Sequence, residues 1–120
     1  MQYMLMIHIN EKQAAPVPAA AEAQMSAEFT AYTDAMKKAG AYIGGDRLHP
    51  TTSATTVRKT DGKVKVLNGP YAETREQLAG YYLIDVPDLD AAISWARRCP
   101  AAAYGSIEVR PVVQYAMADA

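Results

Sequence analysis

The chain has 120 residues, half of them hydrophobic, which suits one domain spanning residues 1–120 with a core that needs no disulfide or metal staple. Twelve basic and thirteen acidic residues leave a net charge of -1 with no long block of either sign, so direct nucleic-acid binding and attachment to an anionic membrane are not expected. Cys99 is the only cysteine, which excludes an intramolecular disulfide and any multi-cysteine metal site and fits a reducing, cytoplasmic setting. The opening MQYMLMIHIN has no basic stretch and too short an apolar run for a signal peptide or membrane span.

Residues 3–9, apolar except for His8, predict a strand buried on both faces. NEKQAAPVP follows as a surface loop. Across 19–39, Ala21, Met25, Phe29, Tyr32 and Met36 recur at spacings of three and four, which predicts a helix with one apolar stripe. Lys37 and Lys38 suit its negative C-terminal end, and Gly40 closes it. AYIGG reads as a short strand that turns at Gly44-Gly45. Residues 55–59 and 63–67 are β-rich arms around Asp61-Gly62, a strong hairpin signal, and Asn68-Gly69-Pro70 stops the second arm. AETREQLA reads as an ordered loop or short helix. Residues 81–86 predict a strand, and PDLDAAISWARR a helix capped by Asp88 with Leu89, Ala92, Ile93 and Ala96 on its inner stripe. After Pro100, residues 106–115 predict a last strand, in which Ile107, Val109 and Val113 alternate with Glu108 and Arg110.

This order predicts an α+β domain, a ferredoxin-like βαββαβ arrangement with an extra hairpin strand, both helices lying on one face of an antiparallel sheet. The other face would stand open. Because the first strand is apolar throughout and Tyr82, Ile84 and Val86 extend a neighbouring face, a second copy is the expected cover, giving a homodimeric α+β barrel.

NGPYAETREQLAGYYLIDVPDLDAAISWARRCP, with MQYMLMI before it and GSIEVRP after it, resembles the YCII-related family, in the branch named for a DGPF motif that here reads Asn68-Gly69-Pro70-Tyr71. GDRLHP at 45–50, the threonine-rich hairpin and AETREQL at 72–78 extend the likeness along nearly the whole chain. The resemblance implies a dimeric α+β barrel in a family whose biochemical activity is largely unassigned. Some relatives resemble partners of extracytoplasmic-function sigma factors, which implies a regulatory setting. The founding branch is associated with a His-Asp pair; by register those places fall near Thr30 and Cys99, and neither residue substitutes for its counterpart. The motif aspartate is Asn68, a neutral amide in place of a carboxylate.

His8 suits a general base, since imidazole titrates near neutrality and a strand holds it rigidly; its plainer role is a strand residue bonded to backbone. His49, before a proline, reads as a surface or rim residue. Asp46, Glu73 and Arg75 are the remaining catalytic candidates: a carboxylate can orient or deprotonate a substrate while a guanidinium grips an anion. A salt-bridged loop is the alternative for these three. Asn68, Tyr71, Tyr82 and Arg110 are candidate ligand contacts, although the Asn68 motif is first of all a turn and Tyr82 also suits a core or interface position. Glu108 and Arg110 share a strand face and either line a barrel cavity or protect an exposed edge. No metal site or cofactor is expected, because the two histidines have no partner at ligand spacing and no nucleotide-binding glycine loop is present.

Three functions fit these residues. One is a cofactor-free small-molecule enzyme or ligand-binding protein with a cleft between sheet and motif loop. Another is a non-catalytic accessory module that contacts a sigma factor. The third is a barrel that binds a ligand for transport or sensing.

Overall fold

The computed structural model describes residues 1–13 and 17–115, so residues 14–16 of the first loop lie outside the described residues. Among the described residues, six strands and two α-helices run in the order β1 (Gln2–Ile9), α1 (Ala19–Lys38), β2 (Tyr42–Arg47), β3 (Thr55–Thr60), β4 (Lys63–Asn68), β5 (Gln77–Asp85), α2 (Leu89–Arg98) and β6 (Ser106–Pro111). The main sheet has the order β2-β5-β1-β6 and all its pairings are antiparallel. With two helices this makes an α+β protein, an arrangement consistent with a ferredoxin-like fold. The hairpin differs from the expectation of one extra strand. β3 and β4 pair only with each other as a separate two-stranded sheet, and β2 supplies the second strand of the main sheet.

Alternation decides which side of the main sheet is the core. Tyr3, Leu5 and Ile7 of β1 are buried, as are Tyr82 and Ile84 of β5, and cross-strand pairing sets Tyr3 beside Ile84 and Leu5 beside Tyr82. Tyr32 and Met36 of α1 and Ala92 and Ala96 of α2 complete this core with Cys99 and Ala101. Tyr32 stands edge-on to Tyr82, ring centroids 5.4 Å apart, and its hydroxyl donates to the Trp95 carbonyl at 2.7 Å, which ties the two helices together.

Several local expectations are corrected. Within one copy, β1 is fully buried on one face, and Met4, Met6 and His8 on the other are half-buried. The α1 stripe buries only from Phe29 onward, and Met25 is exposed. In α2, Leu89 is exposed, while Ala92 and Ala96 carry the contact. Gly44-Gly45 does not turn but continues β2 through an irregularity at Ile43. Gly45 is required there because a Cβ would lie 2.8 Å from the Tyr81 carbonyl oxygen and 2.9 Å from the Tyr82 ring. AETREQLA, expected as an ordered loop or short helix, is loop over 72–76, and from Gln77 it is strand: Gln77 and Leu78 pair with Ile9 and His8, so ladder hydrogen bonds outweigh the propensity of a segment too short to nucleate a helix. β6 ends at Pro111, the Val112 amide makes one further bond to the Gln2 carbonyl, and Val113 is exposed.

Candidate functional site

The face of the sheet away from the helices carries a ladder of side chains set by register. Met6 of β1 stands between Tyr81 of β5 and Glu108 of β6, and Tyr81 in turn pairs with Asp46 of β2. One step along, His8 stands between Leu78 and Ser106, and one step back Met4 lies between Leu83 and Arg110. The centre of this face is therefore apolar and its two margins are polar.

At the β6 margin, His8 Nε2 lies 3.3 Å from Glu108 Oε1, and Arg110 Nε lies 3.7 Å from Glu108 Oε2. His8 Nε2 is shielded from solvent and has no partner in hydrogen-bond geometry, although the Glu108 oxygen is close. An imidazole beside a carboxylate is the residue pair that proton transfer uses, and here the nitrogen that faces Glu108 is also the one without a partner in bonding geometry. At the β2 margin, Tyr81 donates its hydroxyl to Asp46 Oδ2 at 2.8 Å, and accepting that bond holds the phenol proton on and raises its pKa from the usual 10.0.

A polar hollow of about 390 Å³ lies at the His8 end, lined by Asn10, Gln13, Arg75, Glu76 and Tyr104. Ser106, the cross-strand neighbour of His8, donates its hydroxyl to Glu76 Oε1 at 2.7 Å, which ties the hollow to the strand position beside His8. Burial is the main cause that pushes the Tyr104 phenol above its usual pKa of 10.0, aided by the negative charge of nearby groups such as Glu28.

The structure thus brings some predicted residues together and separates others. His8 and Arg110 meet through Glu108, and Arg75 reaches the same end of the sheet through the hollow. Asp46 lies three strand spacings from Glu108, roughly 14 Å away, so within one copy it does not share a reaction centre with His8. Glu73 and Tyr71 are exposed in the loop before β5, and Asn68 pairs with Thr55 at the base of the hairpin. Tyr82 points to the opposite side, under the helices, where its hydroxyl is 2.9 Å from Thr33 Oγ1. Thr30 bonds back to the Ser26 carbonyl and Cys99 is buried in the core, so neither faces this site. Glu76, Ser106 and Tyr104 were not legible as site residues: alternation marks the face of Glu108, but only register tells which residues stand next to His8. Among the described residues, no three His, Cys, Asp or Glu side chains converge to hold a metal ion, and no helix is long and apolar enough to cross a membrane.

The comparisons agree with the resemblance at the level of the family. An uncharacterized protein of Rhizobium meliloti (strain 1021) is 51% identical over 71 residues, which is 58% of this chain and 57% of that protein, so the match spans little more than half of the relative's length. The model of the YCII-related domain matches residues 1–116, which takes in every strand and helix described above, and the chain therefore belongs to the YCII-related family.

Proposed function

We propose that the open sheet face is a cofactor-free small-molecule site in which His8 and Glu108 form an acid–base pair, Arg75 holds an anionic group of the ligand, and a second copy of the chain closes the face as a homodimeric α+β barrel. The observation that carries this reading is the unsatisfied, shielded His8 Nε2 standing 3.3 Å from a carboxylate at the edge of an apolar patch. A shielded polar atom of this kind is normally paired, and a catalytic role is one physical reason for an exception. Arg75 supports the second part, because it lines the hollow alongside the amides of Asn10 and Gln13, a donor set suited to a carboxylate. The half-buried Met4 and Met6 support the third, since each stands in a row of side chains that no helix covers.

A panel of small organic carboxylates tested by thermal shift and isothermal titration checks this reading. The wild type should bind one member saturably. Arg75→Ala should abolish that binding. His8→Ala and Glu108→Gln should keep binding and lower any turnover by roughly 10²–10⁴-fold, the range typical of a lost general acid or base. Binding without turnover in the wild type would assign ligand sensing in place of catalysis. Equal behaviour of the wild type and Arg75→Ala would overturn the assignment.

A further inference from the structure

The β3–β4 ribbon is built like an arm. Its base is fixed: Glu11 accepts from the Thr51 amide at 2.9 Å and from the Thr51 hydroxyl at 2.6 Å, and Thr56 donates to the Gly69 carbonyl at 2.8 Å. Beyond that base it packs on little else, since all six residues of β4 and five of the six in β3 are exposed or solvent-facing. The radius of gyration is 16.8 Å, against roughly 14 Å for a compact chain of this length.

Register sorts the arm into two faces. Val57 pairs with Val66 and Lys59 with Val64 on one face, while Arg58 and Lys65 pair on the other. Val57, Val64 and Val66 are 66%, 62% and 64% exposed, so three valines form an apolar strip with a lysine toward its tip. An isolated two-stranded ribbon is marginally stable in water, and an uncovered apolar strip on it invites a partner. Charge narrows the choice of partner. Residues 55–68 hold Arg58, Lys59, Lys63 and Lys65 against Asp61 alone, a net charge of +3, so in a chain of net charge -1 the remainder carries -4. The open sheet face has Met4, Met6 and Leu83 at its centre, with Asp46 at one margin and Glu108 beside Arg110 at the other.

We infer that the ribbon is a dimer arm whose valine face lies on the open sheet face of a second copy, with Lys59 among that copy's carboxylates, so that the His8 site of each protomer is roofed by the other's arm. This rests on the homodimer of the preceding reading and adds which segment closes it. The arm carries a net positive charge and an apolar strip, and an identical body carries a net negative charge and an open face with an apolar centre.

Sedimentation equilibrium on the full chain tests the arm with the double variant Val64→Asp, Val66→Asp. Both sites are exposed within one copy, so circular dichroism should match the wild type while the dimer dissociation constant rises by roughly tenfold or more. A photo-crosslinking residue at position 64 gives an independent readout: crosslinked dimers should map to residues 4–8 or 81–83 of the other copy. A wild type that is monomeric at all concentrations would sink both the homodimer and the arm. A dimer that the double variant leaves equally tight, or crosslinks that join position 64 only to the other ribbon, would sink the arm alone.

Discussion

His8 owes part of its setting to a glycine on the neighbouring strand. Gly105 sits immediately before β6, where a Cβ would collide with the His8 carbonyl oxygen and come within 3.1 Å of Ile9 Cγ2. The backbone has to give way if any side chain is placed there. Gly105→Ala should lower unfolding free energy by about 1–3 kcal/mol, as overpacking does, and displace the His8 imidazole resonances by shifting β6 against β1. An unchanged urea midpoint with unshifted resonances would remove this positioning role. Of the residues at the site, His8 and Arg110 could be chosen from residue type and alternation, because strand periodicity puts them on a definite face. Glu76 and Ser106 could not, since their proximity to His8 depends on a loop folding back across the end of a sheet.

At the scale of elements, local signals and packing divide the work. Asp88 caps α2 by accepting from the Ala91 amide at 2.9 Å, and Asp90 and Arg97 with Arg98 bias the two ends in the sense that the helix dipole favours. Asp88→Ala should therefore cost about 1 kcal/mol, within a range of about 0.5–2 kcal/mol, read as a lower urea midpoint with the denaturant slope unchanged. A loss near zero would mean that the burial of Ala92 and Ala96 alone holds this helix. The two-residue hairpin turn was equally plain in the sequence: Asp61 and Gly62 have φ of 52° and 76°, the pair of left-handed residues that suits strand twist. Elements without such punctuation were misread. The 72–79 segment, expected as an ordered loop or short helix, is loop over 72–76 but strand from Gln77, and Gly44-Gly45 resembles a turn but extends β2, because in both cases a neighbouring strand supplies backbone partners that no local signal announces.

The whole molecule carries a buried set of weak acids. Burial raises the Cys99 thiol above its usual 9.0 and the Tyr32 phenol above its usual 10.0, and burial, opposed by the hydrogen bond with Thr33, raises Tyr82 as well. A raised pKa means the folded state holds its proton more tightly than the unfolded chain. The associated stability is fully present below the ordinary values and is lost as pH climbs through the folded ones, so the urea midpoint should fall from about pH 9 upward. Tyr32→Phe should flatten that fall, and a midpoint independent of pH between 9 and 11 would contradict the linkage. At this scale the amino-acid sequence determined the class of fold, the two helices, the hairpin and the face on which most apolar residues lie, because periodicity, caps and turn residues act over a few neighbours. The tertiary structure decided the order β2-β5-β1-β6, the separation of the hairpin into an arm and the approach of Glu108 to His8. Those depend on pairing between strands far apart in the chain, as Met6 with Glu108 and Asp46 with Tyr81, and a one-residue slip would send each of these side chains to the opposite face.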